Sequence, residues 1–208
     1  MGEPIRLLIL GTGQMGSGIA RLSLDKPNLK LVGAYARRSD RAGTDLGPAI
    51  GLDRDLGLTI GNDLSEIIQA TRPDVAIQAT CSTLIEAKAE IATLIEHGVN
   101  VISIAEEMAF PACVSPEIAE QLNALAVKHG VSVLGTGINP GFVLDTLIIA
   151  LSGICQDITS ITATRINDLS PYGPTVLSSQ GVGLTVDEFN QGIQDLSVIG
   201  HVGFEQSI

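Results

Sequence analysis

Ile5-Arg6-Leu7-Leu8-Ile9-Leu10 runs directly into Gly11-Thr12-Gly13-Gln14-Met15-Gly16, and this junction decides the fold. The first half has the length and apolar content of a strand buried on both faces. The second half spaces its glycines as a strand-to-helix turn requires. One glycine lets the chain turn sharply, one lets a pyrophosphate approach bare backbone, and one lets the next helix pack close to the sheet. Met15, Ile19 and Leu22 then recur at helical spacing, so a helix is expected to aim its free N–H groups and positive dipole end at that phosphate. Gly11, Thr12, Gly13, Gln14, Met15 and Gly16 are therefore the expected dinucleotide-binding residues. The alternative is a merely structural turn.

Working outward, Leu29–Tyr35 reads as a second strand, which closes a strand–helix–strand unit of about 30 residues. Gly43–Gly61 reads as loops with a short helix. Asp63 caps a short amphipathic turn that Arg72-Pro73 stops. Val75–Ala79 is a strand, followed by a helix over Thr83–His97 with Leu84, Ala87, Ile91, Leu94 and Ile95 on one face. Val99–Ile104, a helix over Pro116–His129 closed by Gly130, and Val131–Leu134 continue the alternation. Such regular alternation predicts an α/β fold, a doubly wound parallel sheet of the Rossmann kind. From Gly135 the pattern changes. A second glycine-rich turn, Gly135–Gly141, leads to a helix expected from about Phe142, and Ile158–Arg165 reads as a strand of a different sheet. Thr185-Val186-Asp187-Glu188 is a capping box.

Composition bounds the function. The 208 residues are 45% apolar and 3% aromatic, so aliphatic side chains must fill the core. The net charge of −11 argues against nucleic acid or an anionic membrane as partner. Cys81, Cys113 and Cys155 lack metal-site spacing and suit a reducing cytoplasm. No signal peptide is expected, because Glu3 and Arg6 interrupt the start. The apolar stretch Phe142–Ile154 contains Asp145 and is too short to span a bilayer. No metal ligand set and no serine–histidine–acid arrangement is read.

Gly135-Thr136-Gly137-Ile138-Asn139-Pro140-Gly141-Phe142, then Thr164 through Val176, Gln180-Gly181-Val182-Gly183 and Gly200-His201-Val202-Gly203-Phe204, resemble the 2,4-diaminopentanoate dehydrogenases. These are nicotinamide-dependent amine dehydrogenases with a dihydrodipicolinate-reductase-like cofactor domain. The likeness runs from the first residue to the last. It implies a cofactor domain over 1–138 and, over 139–208, the start of an α+β substrate and dimerisation domain. The family continues well past this length, so the resemblance implies a front part only, and a homodimer at full length. It also implies oxidative deamination of a small amine or diamino acid. The alternatives are a dihydrodipicolinate-reductase-type reductase and an inactive cofactor-binding fragment. The first is weakened by the lack of that reductase's paired-histidine, arginine and lysine motif.

Candidate site residues follow. After the second strand, where an acid would bind a ribose 2′-hydroxyl, the chain reads Ala36-Arg37-Arg38-Ser39, with no acid until Asp40. Two guanidiniums and the Ser39 hydroxyl suit a 2′-phosphate, so NADP is preferred, with NAD possible through Asp40. Solvated surface arginines are the plain alternative. Ala79, Thr80 and Ala105 end strands at the ligand edge, and Thr80 suits a ribose hydroxyl or a helix cap. Glu106 and Glu107 follow a buried strand. The resemblance implies an essential glutamate in this segment, which would take the amine's proton and later activate water. On an extended segment neighbours point opposite ways, and Glu107 is preferred over Glu106. Helix capping is the alternative for both. Asn139 suits the nicotinamide amide or ribose, or simply a turn. Asn167, Asp168, Tyr172 and His201 are substrate candidates.

Overall fold

A computed structural model describes residues 2–200 and 202–204. Strand β1 (Ile5–Leu10) alternates Leu7 and Ile9 toward one face of the sheet and Leu8 and Leu10 toward the other, all four nearly inaccessible. A strand buried on both sides must be apolar at every position, which is why the run carries no polar alternation. Around it lie β2 (Leu29–Tyr35), β3 (Ile60–Gly61), β4 (Val75–Gln78), β5 (Asn100–Ser103) and β6 (Val133–Gly135). The order is β3-β2-β1-β4-β5-β6 and every pairing is parallel. The chain leaves β1 in one direction and returns to its other side at β4, so the strand order reverses there. The predicted doubly wound sheet is what the chain forms.

Two cores cover the two faces. On one, Leu7, Ile9, Ala34 and Ile60 pack with α1 (Gln14–Leu24) and α2 (Leu46–Ala49). On the other, Leu8, Leu10, Ala76 and Val101 meet α3 (Leu64–Thr71), α4 (Leu84–Glu96) and α6 (Pro116–His129). The stripe expected on α4 is buried throughout: Leu84, Ala87, Ile91, Leu94 and Ile95 are each 0% exposed. Asp63 caps α3, Ser115 caps α6, and Gly130 closes α6 in the left-handed conformation.

Five expectations need correction. α1 exists, but Met15 and Leu22 lie on its exposed side, while Gly16, Ser17, Ala20 and Ser23 face the sheet. Close helix–sheet packing selected small residues there, and the larger ones were left outside. The loop region Gly43–Gly61 ends in the two-residue strand β3. The helix expected from Phe142 begins at Thr146, because Asp145 turns its carboxylate to the Thr146 amide, and α7 spans Thr146–Ser152. Ile158–Arg165 has no regular secondary structure and joins no ladder with a described strand, and Ile158 and Ile161 are exposed. Its Ile/Thr pattern suits a strand, but a strand without a ladder partner is not stable. Finally, Glu106–Ala109 is a 3-10 helical turn rather than an extended segment. The short helix α5 (Pro111–Val114) follows it. In the second region, α8 (Pro174–Ser179) and α9 (Val186–Gln194) are present, and the capping box of Thr185 and Glu188 forms in both directions.

Candidate functional site

A parallel sheet brings the ends of its strands to one edge, and backbone bonds between neighbouring strand ends hold them there. Gly11 N donates to Tyr35 O, Ala79 N to Leu10 O, Ile104 N to Gln78 O, and Thr136 N to Ser103 O. The turns after β1, β2, β4, β5 and β6 therefore open on a common edge beside the reversal of strand order, where such sheets take their ligands.

The β1–α1 turn has the geometry its glycines promised. Gly11 sits at φ +99°, and a Cβ there would lie 2.4 Å from Ala79 O. A Cβ on Gly16 would lie 2.0 Å from Gly11 O, so these two are fixed by the fold. Gly13 differs. Its φ is −74°, which suits any residue, and a Cβ would meet nothing within 4 Å. No side chain caps α1, and no acid sits in its first turn. By contrast, α3, α6 and α9 carry side-chain caps, and the first amide of α4, Leu84 N, donates to Glu107 Oε2 at 2.7 Å. Among the described helices of eight residues or more, α1 alone keeps an uncapped N-terminus. Gly13, Gln14 and Met15 are exposed around it, while Thr12 is buried and accepts from Ser17 Oγ through its carbonyl.

At the β2 end the two arginines part company. Arg37 donates through Nε to Glu90 Oε1 at 2.6 Å and through Nη2 to the Glu86 carbonyl at 2.8 Å, on α4. The hydrogen bond to Glu90 raises its pKa above the usual arginine value. Arg38 is paired with Asp40 at the surface, and that bond holds the Asp40 carboxyl below its ordinary value. Ser39 is exposed beside them. Glu90 was not anticipated. It lies three residues after Ala87 on the buried stripe of α4, so the signal available was an acid at a core-facing position. Thr80 Oγ1 donates to Glu90 Oε2, and Gln78 Nε2 donates to Thr80 Oγ1 and Cys81 Sγ. Ser103 Oγ donates to Gln78 Oε1 at 2.6 Å, and Ala105 N donates to Ser103 Oγ. A buried polar chain thus links the β2, β4 and β5 ends, and the Thr80 hydroxyl is engaged within it.

The acid pair divides too. Glu107 caps α4 through Leu84 N. Glu106 Oε2 is buried with no hydrogen-bond partner, as are both amide atoms of Asn139. A Cβ on Gly203 would lie 2.8 Å from both Glu106 Cβ and the Pro140 ring, so Gly203, the β6 turn and Glu106 converge. Asp168 is turned to Ser170 instead, whose amide and hydroxyl lower its pKa. Asn167 and Tyr172 are exposed and make no side-chain hydrogen bond to the strand-end loops. His201 lies outside the described residues. Among the described residues no helix is long and apolar enough to cross a membrane.

Comparison with known proteins gives the class first. Residues 5–104 match the family model described as dihydrodipicolinate reductase, N-terminus. Residues 142–208 match the 2,4-diaminopentanoate dehydrogenase C-terminal domain. The chain is 42% identical over 207 residues to a 2,4-diaminopentanoate dehydrogenase of Acetoanaerobium sticklandii, covering 99% of this chain and 58% of the relative. It is 29% identical to an amine dehydrogenase of Streptomyces virginiae, over 81% of this chain and 47% of the relative. The solved structure of an amine dehydrogenase from Mycobacterium smegmatis superposes with a TM-score of 0.79 at 34% identity, covering 98% of this chain and 59% of that one. Along almost its whole length the chain is similar to these dehydrogenases, and it spans just under three-fifths of the length of the first of these relatives.

Proposed function

We propose that this chain binds NADP, or NAD, along the strand-end edge and serves the oxidative deamination of a small amine or diamino acid such as 2,4-diaminopentanoate. The uncapped N-terminus of α1, with Gly13 open on its outer side, carries the reading. Its first amides meet no side-chain cap among the described residues, and an anion there meets both free donors and the positive end of the helix dipole. A charged base at the β2 end, Arg38 with Ser39, favours the 2′-phosphate of NADP. The likeness to a 2,4-diaminopentanoate dehydrogenase and to amine dehydrogenases supports the reaction type.

Glu106 is the proposed base. Its Oε2 is buried and meets no donor among the described residues, which leaves an acceptor site for a substrate. An amine arrives as an ammonium and must give up a proton before its carbon can lose hydride. Glu106 takes that proton; once the iminium has formed it orients the water that adds to the carbon, and ammonia leaves with a ketone remaining. When bound, the nicotinamide accepts the hydride. Asn139 offers one donor and one acceptor, which matches a carboxamide or a ribose edge. Glu107 holds α4 and, through it, the wall of the site. We carry forward the division into a cofactor domain over 1–138 and a substrate region over 139–208, and a homodimer.

The test is a panel of small amines and diamino acids with each cofactor, reading reduced nicotinamide and ammonia together. Equal amounts of both products are expected. Cofactor binding without reduction by any amine in the panel would overturn the proposed reaction.

A further inference from the structure

We propose that Glu90 is a specificity-positioning residue: it fixes Arg37 on α4 and leaves Arg38 to read the 2′-phosphate alone. The inference rests on the dinucleotide reading of the β1–α1 turn and goes beyond it. Glu90 is 7% exposed, yet its carboxylate is engaged at both oxygens: Arg37 Nε donates to Oε1, and Thr80 Oγ1 donates to Oε2. Arg37 is held a second time by the Glu86 carbonyl. To reach a phosphate, Arg37 would have to abandon a buried carboxylate, and an uncompensated buried charge is strongly destabilising. Arg38 is under no such hold. Its partner Asp40 lies on the surface, with side-chain exposures of 77% and 56% for the two residues, and exposed pairs exchange partners at little cost. A 2′-phosphate can displace Asp40 from Arg38; a ribose 2′-hydroxyl can instead donate to Asp40. The two arginines are adjacent in sequence and opposite in role, and the acid that separates them sits 53 residues from Arg37.

Affinities for NADP and NAD, measured by calorimetry on the intact chain and its variants, test this. R38A should weaken NADP at least about tenfold while NAD changes little, the worth of one charge-assisted hydrogen bond. R37A should weaken both cofactors alike, because it loosens the β2 end and the Thr80–Cys81 turn. Freeing Arg37 should raise the preference for NADP: E90A shifts the NADP-to-NAD ratio upward, E90Q shifts it less, and R37A/E90A abolishes the gain. A purely structural acid would change both affinities together and leave the ratio alone. E90Q preserves volume, so it keeps the test readable if E90A does not fold. The proposal is overturned if R37A costs NADP selectively as much as R38A, or if folded E90A and E90Q leave the ratio unchanged. Binding of neither cofactor by the parent chain would overturn the dinucleotide reading itself, and this inference with it.

Discussion

Replacing the two neighbouring glutamates separately should dissociate stability from turnover. Glu107 Oε2 accepts from Leu84 N at 2.7 Å, and Leu84 opens the helix whose five apolar side chains are fully buried. Glu107→Ala removes that acceptor, and losing such a cap costs about 0.5–2 kcal/mol. In a chain of this size each kcal/mol lowers Tm by roughly 2–4 °C, so a fall of roughly 1–8 °C is expected. Glu106 is the reverse case. Its Oε2 has no hydrogen bond to lose, so Glu106→Gln should hold or raise Tm. The amide keeps the shape but cannot accept the substrate's proton, and kcat should fall by roughly 10²–10⁴-fold. Thermal melting followed by circular dichroism reads the first effect, and amine-dependent reduction of the dinucleotide reads the second. The reasoning fails if Glu107→Ala loses turnover at an unchanged Tm while Glu106→Gln remains active.

Two further outcomes follow from the fold. The Asp45 carboxylate accepts the amides of Leu56, Gly47 and Leu58, the Leu56 bond foremost, and its pKa is held below the ordinary 3.8. Its stabilising contribution is therefore complete above the unfolded value and is lost as pH falls through the lower native one, so Asp45→Asn should flatten the decline of Tm with acid below about pH 4. Ile91, 0% exposed on the buried face of α4, should cost about 2–5 kcal/mol when cut to Ala, read as a lower urea midpoint at an unchanged slope.

Most of the sheet was legible because strand and helix patterns repeat locally. The stripe on α4 needed only a period, and the caps at Asp63 and Thr185 only a residue type at a helix start. What escaped depended on neighbours distant in sequence. The buried side of α1 is small because the sheet comes close, which a search for large apolar residues inverts. β3 exists because β2 offers Ala34 and Tyr35 as partners, and Ile158–Arg165 lacks any such partner among the described residues. The preference for Glu107 assumed an extended backbone, whereas the 3-10 turn and the N-terminus of α4 set where that side chain goes. Glu90 could be noticed as an acid on an apolar stripe, but its partner Arg37 could not, since nothing local ties the two together.

The most direct measurement is a calorimetric titration of NADP and NAD into the chain and its Gly13→Val variant. A Cβ at position 13 would meet nothing within 4 Å, so the variant should fold, as circular dichroism would read. Its side chain would occupy the space that a pyrophosphate needs beside the open end of α1. The account predicts saturable binding by the parent chain and none by the folded variant. Undiminished binding by Gly13→Val, or no binding by the parent chain to either cofactor, would contradict it.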